Sequence, residues 1–568
     1  MPKLRILLVS DASAAATAAN AEIAFRQARL HHDHVDITTA PLPELRPYAA
    51  VVLAVEMAEP PLTDKLAAFV TAGGGLLSLL PARADSAWDL FGIVPPREPA
   101  GHLYSEHHSE GLVFRGGIFP SFAGLELPKG FGIGHAALDI LPGPEAEIVA
   151  RTGVGRPLAW RVRRGKGHVL YWNSAMLAAK AWRGLVIESL AAVMAVSAVP
   201  KANVALLQAD DFPAPMGVRS RSLLRRSAAM PAPARFYATR WYPDVLDIAA
   251  RHAFPLTCFA VFCYTWKGED LLPPVTEDSR NDCFAAFRAR GGEVGLHGFN
   301  HTPLLASAWG GRDRMTEGLR HAMHLWQEQR LGPPPMAYVP PNNEYDAEGV
   351  QALAEAVPSI STICGNHVIG SFDLGGNREY GPEPFAPHLF AFPRASWGSG
   401  CIPEVLPAAV AQVAATGVWS HFLHPDDVED RPRPGDPPFL RRNPEGQSWR
   451  SLRRDLSTFL SQMRWRHPWL RGCTTSEGAR RLKAHLESDW SIETGPAGIR
   501  ISGPAGGTIE LRLNGDPAPD FGHMTGARTL HEDEGPGFRI RVIELETTTT
   551  TVETPAPAYP SPALSNAP

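Results

Sequence analysis

Short apolar runs bounded by turn residues alternate with stretches of helical length over most of this chain, and no other feature limits its fold so strongly. In the first 198 residues LRILLVSD, VDITTA, AAVVLAV and GLLSLLP alternate with ANAEIAFRQARLH and LTDKLAAFVTAGG. The pattern resumes at NVALLQAD and continues through PLTCFAVF, EVGLHGFNH, AYVPPNN, SISTICG and GVWSHFLHP, with helical segments between them. Strand, helix and strand in succession imply βαβ units and parallel pairing. The expected fold class is α/β.

Four regions are expected within the 568 residues. Residues 1–198 read as a parallel-sheet domain, and residues 199–487 as a (β/α) barrel of six or seven repeats. Residues 488–545 hold short alternating runs between Gly/Pro turns, such as GIRIS and FRIRVIELE, which suggest a small β-sandwich. That module is either glycan-binding or a cap for the barrel. Residues 546–568, with their Thr run and Pro-Ala content, cannot build a core and are expected to be disordered.

Composition removes several classes of function. A formal net charge of -5 leaves no electrostatic footprint for nucleic acid. The 6 cysteines include no CxxC pair and are too sparse for a disulfide framework, so they read as small core residues. No run approaches the roughly 20 apolar residues of a membrane span. The N-terminus MPKLRILLVSD lacks the apolar stretch of a signal peptide, so the chain reads as soluble and cytoplasmic.

In the first region HVLYWNS follows an RRGKG turn and leads into the helix AKAWRGLVIESLAAVMAV. The arrangement resembles, in architecture only, the flavodoxin-like fold of class I glutamine amidotransferase-type domains. An active domain of that kind carries a Cys or Ser on a tight strand-to-helix turn. Here GLLSLLP is followed by ARADSAWDL, and the region contains no Cys. Gly73, Gly74 and Gly75 precede a strand, the wrong order for a phosphate loop. His31, His32, His34, His107 and His108 read as solvated surface, and the domain as non-catalytic.

In the second region polar residues interrupt the apolar strands at their C-terminal ends, where barrels collect their chemistry. Asp210 and Asp211 close VALLQADD, and His297 and His301 close EVGLHGFNH. Asn342 and Asn343 follow AYVPP, and His421 and His424 end GVWSHFLHP. Two histidines in H-x-x-x-H spacing suit one divalent ion. A carboxylate from another strand completes a three-ligand site with an open position for water. Adjacent carboxylates point to opposite sides of a strand end, so one can bind metal while its neighbour stays free as a base. A further His can protonate a leaving amine.

The combination resembles the polysaccharide deacetylase superfamily, the NodB-homology or carbohydrate esterase family 4 type of (β/α)7 barrel, and within it divergent Pel-type exopolysaccharide deacetylases. The resemblance covers about half the chain. It implies Asp210 as catalytic base, Asp211, His297 and His301 as ligands of one divalent ion (zinc), and His424 as general acid. The activity implied is removal of N-acetyl groups from an amino-sugar polysaccharide or its precursor. Two departures stand out. Gly298 occupies the small-hydroxyl position of H-[ST]-x-x-H. The R-x-P motif is replaced by Tyr338-Val339-Pro340-Pro341-Asn342-Asn343, so its Arg is missing.

Arg394, in FAFPRASWG, is the candidate to supply that guanidinium from another strand end. Asn342 and Asn343 are either substrate donors or turn formers. His421 stays open beside His424 as a supporting residue, and Asp426 or Asp427 can orient the imidazole. Trp397, with Trp241, Trp266 and Trp419, is a candidate for sugar stacking or for packing. Two other readings remain: an inactive glycan-binding scaffold, and a different amidase or glycoside hydrolase. A glycosidase would pair an aspartate with Asp373 or Glu344.

Overall fold

The computed structural model describes residues 3–56, 59–81, 85–95, 104–106, 111–115, 117–127, 136–213, 236–264, 287–399, 405–432, 434, 441–495 and 498–554. The chain forms two compact units. One comprises Met1–Asn203, Val410–Val418 and His485–Pro568; the other comprises Val204–Ala409 and Trp419–Ala484.

A nine-stranded sheet carries the first unit. Its parallel half runs in the order His32–Asp36, Ile6–Ser10, Ala50–Ala54, Gly75–Ser78, Gly167–Trp172. Ile6–Ser10 and Ala50–Ala54 are buried at every residue, as strands covered on both faces must be. The order then continues antiparallel through Pro157–Arg164, Glu147–Thr152, Leu112–Phe114 and Glu126–Leu127. The parallel sheet expected here is therefore only part of the sheet. At the turn between Pro157–Arg164 and Gly167–Trp172, Gly165 has φ 60° and a Cβ on it would meet Thr71 Cα at 2.7 Å. A glycine hairpin reverses the chain there without a crossover helix.

Two four-stranded antiparallel sheets belong to the same unit. Val196–Lys201, Thr508–Asn514, Phe538–Leu545 and Ala527–Gly535 form one. Ser491–Gly495, Gly498–Ser502, Thr549–Val552 and Met524–Thr525 form the other. The β-rich stretch thus recruits a strand, Val196–Lys201, that straddles the expected boundary at 198/199. It also takes one from the expected disordered tail. Thr549–Val552 is β-branched throughout and buries Thr550 and Val552 completely, so strand pairing wins over the low complexity of the Thr run. The remainder of that tail, 555–568, lies outside the described residues.

The second unit is built on a ten-stranded sheet that curls into a half-barrel. Parallel pairing runs from Val204–Phe212 through Leu256–Ala260, Glu293–Leu296, Ala337–Tyr338 and Thr362–Ile363 to Ala386–Ala391. Ser396–Trp397 pairs parallel with Val418–Leu423, and Gly472–Cys473 with the start of Val204–Phe212. Parallel order gathers the C-terminal ends of these strands on one edge. Helices join them, among them Ala347–Ala356, capped by Asp346 through Gly349 N at 2.7 Å. Among the described residues no helix is long and apolar enough to cross a membrane.

A buried ion pair anchors the loop between Thr362–Ile363 and Ala386–Ala391. Arg378 and Glu383 are 0% exposed and 3.1 Å apart, and Tyr345 Oη donates to Glu383 Oε2 at 2.8 Å. Glu383→Ala would strand a guanidinium inside the protein. The expected cost is about 3–5 kcal/mol, read as a lower urea midpoint.

Candidate metal centre and its acid–base groups

Val204–Phe212 is buried over all nine residues, and its apolar sequence gives way to Asp210 and Asp211 only at the C-terminal end. Asp211 has φ 57°, a left-handed conformation that costs a non-glycine residue about 1–2 kcal/mol. The two carboxylates enter separate clusters.

Asp211 meets the histidines. Its Oδ1 lies 3.6 Å from His297 Nε2 and 3.2 Å from His301 Nε2. One donor atom from each of the three falls within 4.8 Å of the others. His297 follows Glu293–Leu296 and its Nδ1 is 2.8 Å from Val339 O. A carbonyl only accepts, so Nδ1 carries the proton and Nε2 keeps its lone pair. The histidines sit on a loop, not a helix: Gly298 has φ 88° and His301 φ 56°. A left-handed backbone at position 298 favours glycine over a hydroxyl side chain, which accounts for that departure. Tyr264 Oη donates to Asp211 Oδ1 at 3.3 Å.

Burial opposes charge on Asp211, but His301 and then His297 hold it well below the usual carboxylate range. For His301 the carboxylate of Asp211 outweighs burial and raises the pKa. For His297 burial prevails and lowers it, favouring the neutral ring a metal requires. Two imidazole nitrogens and one carboxylate oxygen could hold a divalent metal ion.

Asp210 meets Arg394. Nη1 of Arg394 is 2.8 Å from Oδ1 and 2.7 Å from Oδ2, and both residues are buried. Arg394 also donates from Nη2 to Asn343 Oδ1 and lies 3.7 Å over the Phe422 ring. Arg394 reaches Asp210 from the loop after Ala386–Ala391. Burial would raise Asp210, yet Arg394, His297 and His424 hold it below the usual range.

His424 Nε2 stands 3.5 Å from Asp210 Oδ2, and its Nδ1 3.7 Å from Asp427 Oδ1. Asp427 Oδ2 accepts from Ser399 Oγ at 2.7 Å and from His424 N at 3.3 Å. Burial and then Arg442 push His424 down to about 3. Arg442 reaches Asp426 at 2.9 Å, Asp427 at 3.3 Å and Asp430 at 3.0 Å, holding the turn Pro425–Val428 together.

Several of the other candidates belong to the core. His421 is wholly buried, its Nδ1 2.9 Å from Ser396 Oγ and its Nε2 2.8 Å from Gly398 O, so it is a core residue and cannot support a substrate. Trp419 stacks beside it at 5.8 Å, and Trp241 packs on Trp449 at 5.9 Å, both fully buried. Neither can stack on a sugar. Trp397 is half-buried, Glu344 half-buried, and Asn342 and Asp373 exposed. Trp266, Cys283, Cys401, His107 and His108 lie outside the described residues.

Sequence reasoning missed Tyr264, Ser399 and Arg442. Tyr264 carried a signal, as a polar residue just past the apolar strand Leu256–Ala260. Arg442 follows a Pro-rich stretch without periodicity.

A family model described as "Uncharacterised protein conserved in bacteria (DUF2194)" matches residues 5–506. No curated protein matches the chain. Among solved structures, that of Agd3, titled a novel carbohydrate deacetylase, is similar at 12% identity and TM-score 0.51, over 98% of this chain and 99% of that one. At that identity the likeness is one of fold. A putative polysaccharide deacetylase from Mycobacterium smegmatis is similar at 16% identity and TM-score 0.34, over 50% of this chain and 91% of that one.

Proposed function

The chain belongs to the DUF2194 family, and for this member we propose a metal-dependent hydrolase that removes N-acetyl groups from an amino-sugar polymer or its precursor. One observation carries the reading: a three-donor cluster of Asp211, His297 and His301 beside a separate, arginine-paired Asp210 within reach of His424. The fold shared with a structure titled as a carbohydrate deacetylase supports it.

Asp211, His297 and His301 would hold the ion, taken here as zinc, which when bound polarises an amide carbonyl and lowers the pKa of water. Asp210, kept ionised by Arg394, takes the proton of the attacking water. The neutral His424 then receives that proton from Asp210 at Nε2, 3.5 Å away, and passes it on to the departing amine, with Asp427 steadying the ring from the Nδ1 side. Asn343 fixes Arg394, and Asn342 and Trp397 are the proposed sugar contacts. In this reading the half-barrel is a (β/α)7-type fold. The parallel half of the first unit is an amidotransferase-like scaffold without catalysis, and the described free cysteines all lie in the other unit.

Acetate release decides the matter. Metal-replete protein is expected to liberate acetate from N-acetylglucosamine or N-acetylgalactosamine oligomers, and Asp210→Asn protein to liberate it at least about 100-fold more slowly. Silence from the wild type on both oligomers would sink the proposal.

A further inference from the structure

The first unit contains a cleft of about 570 Å³ that the proposed chemistry does not use. One wall is the hairpin Pro157–Arg164 and Gly167–Trp172, which sets Arg163 directly opposite His168. Period-two alternation puts Arg161 on the same face, and Lys166 stands at the turn. Gly515 and Gly537 are also among the lining residues.

The basic groups are unequally engaged. Arg161 is spent on Glu147, with Nη2 to Oε2 at 2.8 Å. Arg163 donates from Nε to Gly165 O at 3.2 Å, but among the described residues neither it nor Lys166 has a carboxylate partner. Asp516 is the other acid on the wall. The Thr554 hydroxyl lines the cleft, buried and without a hydrogen-bond partner, and behind the wall buried Arg512 leaves Nη2 equally unpaired. A buried donor without a partner marks a place where a ligand acceptor is missing. The local field agrees: burial, then Arg161, Arg163 and Arg512, bring His168 down to about 4.

We propose that this cleft binds an oxyanion, the carboxylate of a uronic acid or a phosphate group, held by Arg163, Lys166, His168 and Thr554. Guanidinium and ammonium donors form charge-assisted hydrogen bonds with such groups, and the neutral imidazole and the hydroxyl add two more donors.

Calorimetric titration of the full chain at low salt, with inorganic phosphate and with glucuronic acid as separate titrants, tests this. N-acetylglucosamine serves as the neutral control. One site per chain is expected for at least one anion, weakening as salt rises from about 20 to 200 mM. The anion that saturates identifies the source. Arg163→Gln/Lys166→Gln alters only exposed side chains and should weaken binding at least about tenfold with an unchanged melting curve. Asp516→Asn should tighten it by removing a like charge. No heat from either anion at about 10 mM, or equal binding by the double variant, would overturn the proposal. Acetate release by the double variant should match wild type, so this test and that of the hydrolase fail separately.

Discussion

Asp211→Ala protein, loaded with excess zinc and desalted, is expected to retain almost no metal, while wild type keeps about one ion per chain by plasma emission. His297→Ala should behave alike, because each residue supplies one of the three donors that, among the described residues, meet within 4.8 Å. Second-sphere losses typically weaken metal binding by about 10–100-fold, and loss of a ligand should exceed that. Acetate release should fall at least about 1,000-fold in both. Tyr264→Phe offers the graded comparison: it removes only the hydroxyl that donates to Asp211, and should weaken retention without abolishing it. Full metal content in Asp211→Ala would place the ion elsewhere and undo the assignment. His301→Ala is the third arm, and its partly open ring makes it the variant least disturbing to the fold.

The proposed ligands were legible because each stands at or just past the C-terminal end of an apolar strand, where chemistry collects in parallel α/β folds. Their roles needed the three-dimensional pairing. Arg394 lies 184 residues from Asp210, and no local pattern joins them. The choice between His421 and His424 shows the limit well. Trp419 and His421 share one face of Val418–Leu423 and pack on Phe459, at 5.8 and 4.9 Å, whereas Phe422 lies under Arg394. Alternation then sends His424 toward Asp210, but the sequence does not say which face looks inward. The antiparallel half of the first sheet escaped for a related reason. Pro157–Arg164 is joined to Glu147–Thr152 and Gly167–Trp172 by tight turns, with no crossover helix to announce the pairing. The Thr run failed differently, because composition argued for disorder while β-branching and neighbouring strands Gly498–Ser502 and Met524–Thr525 decided for pairing.

Asp210→Asn is expected to lower kcat by about 100–10,000-fold with KM and metal content little changed, since an amide cannot take the proton but preserves size. Arg394 should prove inseparable from it. In wild type the guanidinium outweighs burial and holds the Asp210 carboxyl below the usual range, so the base is already ionised well into acid. Removing that cation lets burial prevail, the carboxyl pKa rises, and the ionised fraction at a given pH falls. The acid limb of kcat/KM should therefore move to higher pH in Arg394→Ala, with activity partly recovered as pH is raised. Arg394→Ala also leaves a buried charge unpaired, at a cost of about 3–5 kcal/mol, so Arg394→Lys is the folding control: it keeps the cation and should shift the limb less. Two residues acting as one unit are not additive. The double variant Asp210→Asn/Arg394→Ala should lose no more activity than Asp210→Asn alone. A multiplicative loss, or an acid limb that stays in place in Arg394→Ala, would show that Arg394 serves the fold and not the base.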